Sequence, residues 1–215
     1  MEKKNTPSQA VILWLGMMLS YLAAGFLQVY GLKFSLVIWL NLVFAAICFI
    51  LAARKEEGVR FLGLVKDRFW ISCGVGMICS VVIVLFNGVL PGIVTGASLA
   101  SAQSLIFRLL YYMIFISIPE ELIFRGFIWS SLEKSGMSKR LVIVVSGVFF
   151  MLLHIPYQAV MSGGVLALLL NGYLLTLLMT FVWHLVFCMI YRKSGAIYGA
   201  ILFHAVMDWS NYLFV

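Results

Sequence analysis

Seven apolar stretches dominate this chain, at roughly 9–30, 34–53, 70–90, 104–118 with a continuation toward 131, 141–154, 164–191 and 195–214. A helix that crosses a ~30 Å hydrocarbon core needs ~20 apolar residues, within a range of about 17–25. The fifth stretch meets that length only if it continues past Pro156. Backbone polar groups inside lipid must be satisfied within their own segment, so such stretches are helices. The prediction is an all-α polytopic transmembrane bundle of seven to eight spans, forming a single membrane-embedded domain over 1–215. The longest loop, 54–69, leaves no room for a soluble domain.

Composition supports this solvent assignment. The chain is 64% hydrophobic and 11% charged, against about 45–50% and about 25% in soluble domains. Lys3 and Lys4 precede the apolar run from Ala10 to Tyr30. That run is too long for a signal h-region and no Ala-x-Ala site closes it, so it reads as the first span. Cys48, Cys73, Cys79 and Cys188 all lie in apolar segments with no C-x-x-C pair, so neither a disulfide framework nor a cysteine metal site is expected.

The formal charge of +7 is distributed unevenly. Arg54, Lys55, Arg60, Lys66 and Arg68 follow the second stretch; Lys134, Lys139 and Arg140 follow the fourth; Arg192 and Lys193 follow the sixth. With Lys3 and Lys4 they fall on one side, whereas Lys33 and Arg108 fall toward the other. Cytoplasmic loops carry the Lys and Arg excess, which predicts a cytoplasmic N-terminus. The same distribution assigns these cations to anionic headgroups rather than to nucleic acid. The expected setting is a multi-pass protein of the cell membrane, of prokaryotic type given the short loops.

Charged residues within spans are costly and mark function by default. Here they are Glu120, Glu121, Arg125 and Asp208, joined by His154, His184 and His204. Glu121 and Arg125 stand at i and i+4 and pair on one helix face. Glu120 is turned about 100° away and is free for another task. His204 and Asp208 are also i and i+4. At ~1.5 Å per residue, Glu120, His154 and His204 reach depths within about 10 Å of one another on three different helices. A desolvated carboxylate can act as general base, one imidazole can hold water and another can face a developing oxyanion. No serine stands in a G-x-S-x-G setting and no H-E-x-x-H helix is present.

At these residues the sequence resembles the CAAX protease and bacteriocin-processing (CPBP, or Abi) family. Pro119-Glu120-Glu121-Leu122-Ile123-Phe124-Arg125-Gly126 is similar to its E-E-x-x-x-R motif, Phe150 to His154 to its F-x-x-x-H motif, and His204 to Asp208 to its H-x-x-x-N/D motif. The resemblance covers about 104–214 and implies a type II CAAX-protease-like intramembrane endopeptidase. It implies Glu120 as the base, His154 as the water holder, His204 with Asp208 on the oxyanion side, and Glu121, Arg125 and Phe150 as supports. Family prenyl endopeptidases carry asparagine where Asp208 stands, and an ionised aspartate cannot donate to an oxyanion. Asp208 would have to be protonated, orient His204 or bind a metal. Glu120, His154, His204 and Asp208 together have the ligand types for Zn²⁺, although the glutamate–water route needs no cofactor.

The implied substrates are a membrane-associated or secreted peptide precursor, with bacteriocin self-immunity as the alternative outcome of the same activity. A different class of function is a non-proteolytic membrane scaffold or immunity factor on this fold. A third is an ion relay, disfavoured by the absence of broken inverted repeats. His184 matches no motif and reads as structural. Gly88, Pro91 and Gly92 read as a turn, and Gly74 and Gly76 as sites of close helix approach. The first hundred residues carry only membrane spans.

Overall fold

The computed structural model describes residues 7–32 and 34–215. Lys3, Lys4 and Lys33, on which part of the orientation argument rests, lie outside the described residues. Among the described residues, six helices are long and apolar enough to cross a membrane: α1 (Ser8–Val29), α2 (Leu36–Ala53), α3 (Lys66–Thr95), α4 (Ala102–Lys134), α5 (Lys139–Met161) and α6 (Val165–Ser194). A seventh, α7 (Tyr198–Ser210), has 13 residues. At ~1.5 Å per residue α7 extends only ~20 Å, short of a ~30 Å core. The last apolar stretch is therefore a short helix inside the bundle, and several of its residues, among them Phe203, His204 and Ala205, are buried. The polytopic all-α architecture is as expected, with one helix fewer of spanning length.

Three prolines, Pro91, Pro119 and Pro156, sit within long helices without ending them. A proline lacks an N–H and its ring crowds the carbonyl four residues back. At the first two the helix answers by widening: π-helical stretches occupy Leu85–Val89 before Pro91 and Tyr112–Ser117 before Pro119. The Gly88–Pro91–Gly92 segment is thus not the turn that its composition suggests; α3 runs through it to Thr95. Its glycines serve packing instead. A Cβ on Gly88 would lie 2.3 Å from Leu213, and one on Gly92 2.4 Å from the Phe214 ring. The segment after α7 fills these notches and pairs with the α3–α4 loop through Ala100 N–H to Leu213 O and reciprocal Ser98–Val215 bonds.

The fifth helix continues past Pro156 to Met161, as its length required, with a break in the hydrogen-bonding at His154. The closest helix crossing joins α3 to α7. A Cβ on Gly76 would lie 2.4 Å from Gly199 O, and one on Gly199 2.2 Å from Ser72 O. Gly74, by contrast, has nothing near its missing side chain. Ser72 Oγ binds the crossing on both sides, accepting from Gly199 N–H at 2.8 Å and donating to Ala196 O at 2.9 Å.

Candidate active site

The site begins with Pro119-Glu120-Glu121, a single α-helical turn of α4 between two π-helical stretches, Tyr112–Ser117 and Leu122–Ile128. Single π turns inside α-helices recur at functional sites because they rotate side chains out of ordinary register. Here Glu121 turns into the core and Glu120 toward a cavity.

Glu121 and Arg125 are both fully buried, with Arg125 Nη1 3.0 Å from Glu121 Oε1. The pairing read from their spacing is present. Arg125 is also flanked by two aromatic faces: its guanidinium carbon lies 4.6 Å from the Phe150 ring centre and 4.5 Å from that of Phe187. The planar cation suits such stacking. None of its three nitrogens makes a hydrogen bond of ordinary geometry, so Coulombic and cation–π attraction hold it.

The same Glu121 Oε1 lies 2.9 Å from His204 Nδ1. A carboxylate facing an arginine can only accept, so Nδ1 carries the proton and donates. The other ring nitrogen, Nε2, then faces Asp208 Oδ2 at 3.6 Å and Glu120 Oε2 at 3.9 Å. Phe187 stacks on the His204 ring at 4.5 Å. One buried carboxylate thus neutralises Arg125 and fixes the tautomer and direction of His204.

His154 sits at the break between the two halves of α5, where its Nδ1 lies 2.9 Å from Phe150 O. The carbonyl can only accept, so Nδ1 donates and, in the neutral ring, Nε2 is the acceptor. The F-x-x-x-H spacing has a local meaning here: the first residue supplies both a backbone acceptor for the histidine and a ring for Arg125.

Glu120, His154, His204 and Asp208 all line one cavity of about 340 Å³, together with Asn87, Phe150, Thr180 and Asn211. Glu120 and His154 also border a smaller chamber of about 90 Å³, lined further by Tyr21, Tyr157 and Gln158. Two side chains with water-holding chemistry therefore stand at the wall between two spaces. His184 lies elsewhere, buried with Nε2 3.1 Å from Ser146 Oγ and from Cys188 Sγ, in keeping with its reading as structural.

The first hundred residues do more than span. Asn41 of α2 donates from Nδ2 to Glu120 Oε1 at 3.4 Å, and the Tyr21 hydroxyl of α1 donates to Asn41 Oδ1. Asn87 of α3 donates to Asn211 Oδ1 at 2.9 Å on the cavity wall. Asn41 and Asn87 are the lone carboxamides of their apolar stretches, and that signal was available in the sequence.

Among the described residues, no three His, Cys, Asp or Glu side chains are grouped so as to hold a metal ion. The ligand types that the sequence suggested for Zn²⁺, on Glu120, His154, His204 and Asp208, share one cavity, and no step below is routed through a metal.

Residues 102–210 match the family model described as type II CAAX prenyl endopeptidase Rce1-like. No curated protein and no solved structure gives a match.

Proposed function

The chain belongs to the Rce1-like family of type II CAAX prenyl endopeptidases, and from that premise we propose that it hydrolyses a peptide bond by means of a water activated by Glu120. At family level it is a CAAX-type intramembrane protease, and its helices make it a multi-pass membrane protein. The observation that carries the finer reading is the division of labour between adjacent glutamates. Glu121 is neutralised by Arg125, while Glu120, among the described residues, has no cationic side chain within ion-pair distance except His204 at 3.9 Å, and lines the cavity.

In the proposed reaction, water lies between Glu120 and His154. Glu120 takes a proton from it as the oxygen attacks the scissile carbonyl carbon, and His154 Nε2 accepts the second hydrogen bond that orients the lone pair. Charge develops on the carbonyl oxygen on the His204–Asp208 side. Glu121 stabilises a protonated His204, whose Nε2–H then donates to that oxygen. Collapse of the tetrahedral intermediate breaks the C–N bond, and Glu120 returns its proton to the leaving amine. In this reading Asp208 orients His204 or, when protonated, adds a second donor. The substrate is a membrane-associated or secreted peptide precursor, and self-immunity to a bacteriocin is one outcome of that processing.

The test compares peptide termini by mass spectrometry in cells expressing the wild type or Glu120→Gln at equal levels. New termini that appear only with the wild type are expected. Identical termini together with an unchanged phenotype would move the assignment to a scaffold or immunity factor.

A further inference from the structure

Glu120 and His154 are the two side chains that line both internal spaces. His204 and Asp208, on the oxyanion side of the proposed reaction, line the larger space and not the smaller. A peptide whose carbonyl oxygen faces His204 therefore occupies the cavity of about 340 Å³ and displaces water from it. Each turnover consumes one water, and Glu120 needs that water while the peptide is in place. The smaller chamber reaches the same two side chains from a separate space.

Its walls suit water. Tyr21 of α1, Val37 of α2, and Leu153, Tyr157 and Gln158 of α5 complete the lining. A water takes ~30 Å³ in the liquid, so a chamber of about 90 Å³ has room for roughly three. Buried waters form hydrogen bonds to polar groups that lack other partners. Here the Glu120 carboxylate and Nε2 of neutral His154 accept, while the Tyr157 hydroxyl and the Gln158 carboxamide can both donate and accept. Among the described residues, neither Tyr157 nor Gln158 uses its side-chain polar group in a bond within the protein. They follow His154 by three and four residues, which places them on its face of α5. The Tyr21 hydroxyl gives its proton to Asn41, so its oxygen can still accept from water. Asn41 in turn donates to Glu120 Oε1 at 3.4 Å. A chain of hydrogen bonds thus ties the chamber wall to the base.

We propose that the smaller chamber is a water site that supplies the hydrolytic water to Glu120 and His154 from a space the bound peptide does not occupy. Tyr157 and Gln158 hold the next waters in line, and one moves onto Glu120 when its predecessor is consumed. The proposal rests on the peptidase reading and deepens it by assigning a site to the second substrate, water. Tyr21, Val37 and Asn41 lie outside the matched residues 102–210. The first two helices, which carry none of the three motifs, therefore complete the chamber.

The experiment reads water and turnover separately, on the full chain in lipid nanodiscs. Pulsed X-ray radiolysis forms hydroxyl radicals from waters where they sit, and mass spectrometry locates the oxidised side chains. Tyr21 is 5% exposed, so its oxidation reports internal water rather than bulk solvent. Oxidation of Tyr21 and Tyr157 is expected in the wild type and severalfold less in Val37→Phe, whose ring fills the chamber. Turnover is measured on a synthetic peptide spanning a bond that the terminus comparison identifies. Val37→Phe is expected to lower kcat by at least about tenfold with KM unchanged. Val43→Phe, at an exposed position of the same helix, should change neither. Should Val37→Phe not fold, Tyr157→Phe combined with Gln158→Leu keeps the volume and removes partners of the water. That variant is expected to lower kcat roughly tenfold at unchanged KM. Tyr21 unoxidised in the wild type would overturn the water site. Normal kcat in Val37→Phe with Tyr21 protected would overturn the supply role. A raised KM at normal kcat would overturn it too, by showing that the chamber takes part of the peptide. Oxidised Tyr21 in a wild type that cleaves nothing would mark failure of the peptidase reading, and the supply role would fall with it.

Discussion

Glu121 Oε1 stands 3.0 Å from Arg125 Nη1 and 2.9 Å from His204 Nδ1, so one buried oxygen serves the ion pair and the histidine together. The arginine compensates the carboxylate's charge, and the carboxylate holds the imidazole in the tautomer that leaves Nε2 toward the cavity. In the proposed reaction, stability and catalysis are coupled through this atom.

That coupling separates two readouts. Removing one member of a buried pair costs ~3–5 kcal/mol, because it strands the other charge. Glu121→Gln and Arg125→Met are each expected to lower thermal stability in detergent severely. The double variant is expected to recover much of that stability, while activity stays lost because His204 no longer faces the negative charge that stabilises its protonated form. Thermal unfolding and cleavage assays on all three variants check this.

Asn41 is predicted to be a positioning residue for Glu120. A hydrogen bond to a charged group is worth ~1.5–3 kcal/mol, and each 1.36 kcal/mol is tenfold in rate. Asn41→Leu is therefore expected to lower kcat by roughly 10–100-fold with little change in KM. Tyr21→Phe should lower it less, since it only frees the Asn41 amide to turn. Equal losses in kcat and thermal stability for both variants would indicate packing instead.

Asp208 can be tested by chemistry that differs only in the donor. Its carboxylate faces His204 Nε2 at 3.6 Å without an ordinary hydrogen bond. Asp208→Asn supplies a permanent N–H donor and is expected to remain active. Asp208→Ala removes the group and is expected to lose ~10²–10³-fold in kcat, the usual cost of an oxyanion donor. Steady-state kinetics at fixed pH checks the pair.

The glutamate–water route predicts indifference to metal removal. Purified protein treated with a strong chelator and desalted should keep its cleavage rate, and added Zn²⁺ should not raise it. Loss on chelation with recovery on Zn²⁺ would require a rearranged ligand set from the one seen here.

Much of this was legible in the sequence for physical reasons. Lipid as solvent forces long apolar runs to be helices, so the all-α bundle followed from hydropathy alone. Residues four apart share a helix face, so the Glu121–Arg125 pair and the His204–Asp208 proximity were readable from spacing. Tertiary structure decided what local spacing cannot encode. Asn41 meets Glu120, and Asn87 meets Asn211, only because separate helices are packed at particular rotations. The π stretch before Pro91 carries α3 through the Gly88–Pro91–Gly92 segment that composition reads as a turn, and a second one precedes Pro119 in α4. The final stretch forms a short, largely buried helix because its glycine crosses α3 at backbone contact, and that close approach depends on a partner segment more than a hundred residues away.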